Sequence, residues 1–170
     1  PVADYHQMVE YMTEHDRRNS LIISSINYER MIGRKVLILT KRVAHADKLY
    51  NELKNKDGCY LISSEDSDRN NILAKLKRGE DDFECIIGTT SLLSQGFDLP
   101  QLDTLILACD MRSGILTKQS VGRILRLFDG KKTPLIIDIV DSKNPFFNRQ
   151  AKARQAIYKK LNWFINDTFN

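Results

Sequence analysis

Two short segments concentrate the side chains that can meet a phosphate. The first is Gln119-Ser120-Val121-Gly122-Arg123-Ile124-Leu125-Arg126. The apolar spacing around it predicts a helix from Thr117 to Phe128, on which Gln119, Arg123 and Arg126 stand at i, i+4 and i+7 on one face. Two guanidiniums stacked there make a fork for phosphate oxygens, and Gly122, just before Arg123, lets another group approach closely. Taken alone, such a pair is more often a solvated or salt-bridged helix face. The second segment, Gly88-Thr89-Thr90-Ser91-Leu92-Leu93-Ser94-Gln95-Gly96-Phe97-Asp98-Leu99-Pro100, directly follows an apolar run. Hydroxyls and backbone N–H groups at a strand end can cradle an anion. Gly96 permits a positive φ, and the Asp98 carboxylate can accept from a hydroxyl. Taken alone, Gly-Thr-Thr is a turn followed by a helix N-cap.

The elements that must hold these segments are legible as alternation. Val36-Leu37-Ile38-Leu39, Cys59-Tyr60-Leu61-Ile62, Glu84-Cys85-Ile86-Ile87, Leu102 to Ala108 and Leu135 to Val140 are short apolar runs without polar alternation, which predicts strands buried on both faces. Val43, Ala46, Leu49, Tyr50 and Leu53 recur at helical spacing, as do Ile72, Leu73 and Leu76 within a helix expected over Asp68 to Lys77. Strand–helix alternation makes the sheet parallel and the domain an open α/β layer fold. Ligands in such folds bind beyond the carboxyl ends of the strands. That places weight on Thr40, Ser63-Ser64, Gly88-Thr89-Thr90, Asp110 and Asp141. Residues 3 to 31 read as helical, with Tyr5, Met8, Val9 and Met12 on one face. Residues 145 to 166 form a long helix candidate started by Pro145, with Ala153, Ile157, Leu161 and Phe164 as its packed stripe. Lys152, Arg154, Lys159 and Lys160 then form a solvated basic face, or alternatively a nucleic-acid surface. Phe146-Phe147 and Trp163-Phe164 read as core or interdomain packing.

The totals narrow the class. A length of 170 residues fits one domain with its own core. Lys and Arg number 26 against 22 Asp and Glu, a net +4 that permits a polyanionic partner without demanding one. Cys59, Cys85 and Cys109 are expected as buried free thiols in a reducing, intracellular compartment, and His6, His15 and His45 have no metal-ligand spacing with them, so no metal site is expected. No apolar run reaches the ~18 residues of a membrane span and no signal peptide is visible. The chain opens at Pro1 and is read as part of a longer protein. A nucleotide-binding loop of the form G-x-x-x-x-G-K-[ST] is missing. The nearest string, Gly130-Lys131-Lys132-Thr133, has Lys where Ser or Thr belongs. Asp81-Asp82 precedes a strand instead of following one, so it is not the acidic pair that holds Mg²⁺ at a strand end.

In order and spacing, the two segments together resemble the C-terminal RecA-like domain of superfamily 2 helicases. Residues 88 to 100 resemble motif V, A-T-x-x-x-x-x-G-x-D-x-P, with Thr90 in the threonine position. Residues 119 to 126 resemble motif VI, Q-x-x-G-R-x-x-R. Val36 to Arg42 resembles motif IV, and Leu61 to Ser64 with Arg69 and Gly79-Glu80 the region between motifs IV and V. Asp138-Ile139-Val140-Asp141 with Phe147, Arg149-Gln150, Arg154 and Tyr158 is similar to the phage- and poxvirus-type and XPB-like DNA helicases, and the richness in Asn, Lys and Ile suits a large DNA virus, hence host cytoplasm or virion. Ser64 stands where many relatives have Gly, and the stretch from Ser64 to Arg69 is shorter than usual.

The resemblance implies one RecA-like, three-layer α/β domain over 1–170: leading helices to residue 31, a mostly parallel core sheet over 34–141, and a C-terminal helix from 142. It implies that ATP and Mg²⁺ are held chiefly by an N-terminal RecA-like domain of the same chain, so that this fragment alone is inactive. Arg123 and Arg126 would be arginine fingers organised with Gln119. Gly96, Asp98 and Gly122 would serve the ribose and interdomain coupling. Thr90 would touch the nucleic-acid backbone, DNA or alternatively RNA, with Thr89, Ser63, Lys41 and Arg42 on the same track. Two other readings stay open: a different α/β enzyme, which predicts a complete site in this chain, and a non-catalytic nucleic-acid-binding or scaffolding module of the same fold.

Overall fold

The structure, a computed structural model, describes residues 4–63, 65–94, 97–111, 114, 118, 121–122, 124, 126 and 129–166. Its elements run α1 (Tyr5–Glu14), α2 (Asp16–Met31), β1 (Val36–Thr40), α3 (Val43–Glu52), β2 (Cys59–Ile62), α4 (Arg69–Arg78), β3 (Cys85–Thr89), α5 (Ser91–Ser94), β4 (Thr104–Leu107), β5 (Leu135–Asp138) and α6 (Pro145–Lys160). The five strands form one parallel sheet in the order β2-β3-β1-β4-β5. Winding proceeds to one side of β1 through β2 and β3 and then reverses through β4 and β5, so the C-terminal ends of β1, β3 and β4 lie at the reversal. Such a reversal opens a crevice in a doubly wound sheet.

Side-chain alternation along each strand builds the two outer layers. Leu37, Leu39, Ile86, Leu105 and Leu107 face Leu76 of α4, Leu92 and Leu93 of α5, Phe97 and Ile124. Val36, Ile38, Cys85, Ile87 and Ile106 face Ile22 and Ile26 of α2 and Ala46 and Leu49 of α3. β5 is the half-buried edge. Cys59, Cys85 and Cys109 are free and buried. Burial and the neighbouring Asp110 carboxylate push the Cys109 thiol up to about 12, so it packs as a neutral group.

The leading segment is two helices, as expected. At His15 the backbone turns extended (ψ 100), and its Nδ1 accepts from the Arg18 N–H at 3.2 Å, capping α2. Val9 and Met12 of α1 pack on Phe147 as a satellite core, flanked by Tyr5, Met8 and Phe146.

The C-terminal helix departs from its expected face. Asn144 caps it by accepting from the Phe146 and Phe147 N–H groups, and Pro145 opens it as expected. It ends at Lys160, not 166, and Asn162 follows at φ 56. Its buried residues are Phe147, Ala151, Arg154 and Tyr158. Ala153 is exposed, Leu161 is 41% exposed and Phe164 93%, so of the expected stripe Ile157 alone is half-buried. The reason is Asp138 at the end of β5. Arg154 donates to both of its oxygens at 2.8 Å and the Tyr158 hydroxyl donates at 3.0 Å, which turns a polar face inward. Arg154 therefore leaves the solvated basic face, while Lys152, Lys159 and Lys160 remain exposed. Trp163 stacks on Tyr158 with ring centroids 5.7 Å apart.

Among the described residues no helix is long and apolar enough to cross a membrane, and no group of three or more His, Cys, Asp or Glu is arranged to hold a metal ion.

Candidate nucleotide and nucleic-acid site

The loops after β1 and β3 meet because their strands are neighbours. Thr40 pairs with Thr89 in register, and the Thr90 N–H donates to the Thr40 carbonyl at 3.0 Å. The buried Thr40 hydroxyl donates to the Arg42 carbonyl at 2.9 Å, fixing the turn into α3. That turn leaves Lys41 exposed, while Arg42 is half-buried and donates to the His6 carbonyl at 3.1 Å. Thr90 is half-buried. Thr89 is buried and its hydroxyl shares a 2.6 Å hydrogen bond with the Ser91 hydroxyl. Ser63 lies at the end of β2, its hydroxyl accepting from the Glu65 N–H at 3.2 Å.

Gly88, one residue earlier, is required by packing. A Cβ built there would lie 2.3 Å from Leu92 Cδ1 and 2.7 Å from the Ile62 carbonyl oxygen. The backbones of β2 and β3 and the start of α5 come together through this missing side chain, which explains a glycine in the last turn of a buried strand.

Asp98 is the meeting point of the two phosphate-type segments. Phe97 and Leu99 on either side are buried at 2% and 1% exposure, which anchors the backbone and leaves the half-buried Asp98 carboxylate facing outward. Its Oδ1 accepts from Arg126 Nη1 at 2.8 Å and its Oδ2 from Lys77 Nζ at 2.7 Å. The side chains of Arg126 and Lys77 are about half exposed, at 53% and 50%, against 23% for Asp98. Beside them opens a cleft of about 180 Å³ whose lining includes Arg69, Asn70, Leu73, Lys77, Phe97 and Asp98. It offers an apolar floor beside a cationic wall.

Within the second segment Val121 and Ile124 are buried and Gly122 is exposed, with nothing within 4 Å of where its Cβ would stand. Lys131 donates to the Ile124 and Arg126 carbonyls, a cation satisfying the oxygens at the end of this segment. Burial lowers its pKa. Gln119, Arg123 and Gly96 lie outside the described residues, as does much of the helix expected over Thr117 to Phe128. The structure thus joins Asp98 to Arg126, and sets Thr90 beside Thr40 apart from that pair.

Several residues of this region carry no sequence signal of their own. Lys77 is one lysine among many in a basic helix end. Arg18, buried in α2, donates to Asp141 at 2.8 Å and to the Ala108 carbonyl at 3.0 Å, tying the loops after β4 and β5 to one helix. Asn19 bridges His45 Nε2 at 2.8 Å and the Thr13 carbonyl at 2.7 Å. Burial, reinforced by Arg18 and Lys48 against the opposing Glu14, lowers the His45 pKa to about 4.

Comparison with known proteins agrees with this layout. Residues 17–128 match the family described as helicase conserved C-terminal domain. The chain is 32% identical over 155 residues to a protein of Acanthamoeba polyphaga mimivirus named "Putative ATP-dependent RNA helicase", covering 88% of this chain and 28% of that protein. It is 25% identical over 140 residues to the ATP-dependent DNA helicase UvsW of Enterobacteria phage T4, covering 81% of this chain and 28% of that protein. The crystal structure of UvsW superposes with a TM-score of 0.74 at 20% identity, covering 94% of this chain and 35% of that one. The chain thus spans about a third of the length of these relatives. The E. coli DEAD-box protein SrmB and the C-terminal domain of S. cerevisiae Dbp5 share the same fold at TM-scores of 0.63 and 0.62. Because the matched region takes in both the segment around Asp98 and the segment ending at Arg126, the chain belongs to the helicase conserved C-terminal domain family of superfamily 2 helicases, with relatives among large DNA viruses and phages.

Proposed function

We propose that this domain is the second motor domain of an ATP-dependent superfamily 2 helicase or translocase. It supplies positive charge to ATP bound chiefly on an N-terminal RecA-like domain and grips a nucleic-acid backbone at the ends of β1 and β3. The observation that carries the proposal is the Arg126–Asp98 pair, which brings the two phosphate-type segments to one cleft.

The residues present fit a nucleotide. Arg126 offers positive charge beside the cleft, Phe97 and Leu73 an apolar floor, and Asp98 an acceptor for a sugar hydroxyl. Together with Arg123, Arg126 supplies guanidinium charge, which in comparable nucleotide hydrolases accelerates phosphoryl transfer by about 10³–10⁵. Gly96, Gly122 and Gln119 shape the approach. In this reading Mg²⁺ is held by carboxylates of the N-terminal domain. Thr90, Thr89, Ser63, Lys41 and Arg42 line the strand ends where a sugar–phosphate backbone can be met by hydroxyls, N–H groups and cations. Contacts of that kind are blind to sequence and weaken with salt. Names of relatives point to DNA in one case and RNA in another. We favour DNA, from the similarity of residues 138 to 158 to DNA-helicase relatives.

The test is nucleic-acid-stimulated ATP hydrolysis by the full-length protein, wild type against Arg123→Ala. A fall in kcat of roughly a hundredfold or more with strand binding retained supports the finger role. Unchanged hydrolysis would move the non-catalytic reading to the front.

A further inference from the structure

From the sharing of one carboxylate by two cations, we infer that Lys77 is a positioning residue for ATP hydrolysis. It keeps Asp98 neutralised while Arg126 transfers from Asp98 to the nucleotide. The inference rests on the function proposed above and adds a residue outside its motif segments.

Asp98 holds Arg126 through Oδ1 and Lys77 through Oδ2. An arginine so held cannot at the same moment point its full fork at a phosphate, so Arg126 must leave Asp98 to act. Its departure removes one of the cations facing a carboxylate that lines the same cleft as an incoming triphosphate. A carboxylate there that has lost positive charge would repel the charge that builds up during phosphoryl transfer. Lys77 prevents this because it is anchored independently of Arg126. It sits in the last turn of α4, which Gly79 closes in the left-handed region (φ 72), its N–H donating to the Leu76 carbonyl. Gln101 Nε2 donates to the Leu76 and Lys77 carbonyls, both at 3.1 Å, locking that turn to the loop after Asp98. Leu76 is buried beneath it. Lys77 thus travels with Asp98, whereas Arg126 reaches it from a different segment. With Lys77 removed, Asp98 binds Arg126 more tightly and is less compensated once Arg126 has gone. Both effects raise the barrier in the activated complex more than they weaken ground-state binding, so the loss falls on kcat rather than KM.

The experiment is a double-mutant cycle in the full-length protein, following nucleic-acid-stimulated ATP hydrolysis of wild type, Lys77→Met, Arg126→Ala and the double variant, with Lys77→Arg as the conservative control. The pairs are half exposed, and exposed ion pairs are worth at most a few-fold in an equilibrium. The expected result is a fall in kcat of roughly threefold to fivefold for Lys77→Met, a KM for ATP changed less than about twofold, an unchanged Tm and recovery in Lys77→Arg. In the Arg126→Ala background Lys77→Met should cost a smaller factor, because the tighter hold on Arg126 is gone and only the repulsion by Asp98 remains. If Lys77→Met costs the same factor with and without Arg126, or moves only Tm or KM, the inference is overturned while the proposed function stands. If Arg126→Ala leaves kcat unchanged, the proposed function loses its described finger and the inference falls with it.

Discussion

Acid should destabilise this domain through one histidine. His45 on α3 is 3% exposed, and its Nε2 faces the Asn19 carbonyl oxygen, so the folded state holds the neutral ring that donates from Nε2. Its pKa drops from 6.5 to about 4, first through burial and then through Arg18 and Lys48. A folded-state pKa below the unfolded value means that the unfolded chain binds the extra proton between pH 6.5 and 4. The stabilisation is therefore complete above 6.5 and is lost as pH falls through about 4. At about 1.4 kcal/mol per pH unit, the 2.5-unit gap between the two values is worth about 3 kcal/mol, a large part of the ~5–15 kcal/mol that holds an ordinary domain together. Urea denaturation of wild type and His45→Gln at steps from pH 7 to 4 measures it. Glutamine keeps an N–H donor for Asn19 but does not titrate. The wild type should lose about 3 kcal/mol more than the variant across that range. Parallel curves would show that the ring is hydrated in solution and that the buried Asn19–His45 bridge does not hold.

Two further substitutions probe the frame around the site. Arg154→Met strips two hydrogen bonds from the half-buried Asp138 carboxylate and should cost about 3–5 kcal/mol, much of it recovered by adding Asp138→Asn; urea denaturation of the single and double variants checks this. Gly88→Ala should cost about 1–3 kcal/mol by thermal unfolding. Trimming the neighbour with Leu92→Ala should not restore it, because the Ile62 carbonyl at 2.7 Å is backbone and cannot give way.

The strands, their parallel pairing and the C-terminal-end location of the loops were legible because buried runs such as Val36–Leu39 and Cys85–Ile87 have one interpretation in an alternating chain. So was the Pro145 start of α6, a local rule of dihedral and missing N–H. Its packed face was not. Counting apolar residues selects Ala153, Ile157, Leu161 and Phe164, whereas the helix turns Arg154 and Tyr158 inward toward an aspartate 16 residues away from the arginine. A buried charge is placed by its counter-ion, and periodicity of hydrophobicity carries no record of that partner. The same holds for Arg18, whose partner Asp141 is 123 residues distant. Motif spacing put Asp98 and Arg126 on the list of site residues, but their contact spans 28 positions and Lys77 enters from a third element. Gly88 was read as part of a turn, since the atoms that exclude a Cβ belong to another strand and to the next helix.

The charged residues of the domain divide by how costly they are to separate. Arg18 and Arg154 have side chains 6% and 4% exposed and hold carboxylates at the ends of the last strands. Breaking either would strand a buried charge at about 3–5 kcal/mol, so these pairs serve as fixed joints for the loops after β4 and β5. Arg126 and Lys77 are half exposed, and separating either from Asp98 costs about 1 kcal/mol or less. A guanidinium that must change partners at every turnover has to belong to the second class. Otherwise each departure from its resting carboxylate would add several kcal/mol to the barrier it is meant to lower. By that criterion, of Arg18, Arg154 and Arg126, it is Arg126 that fits the proposed finger role, with Asp98 as its resting partner.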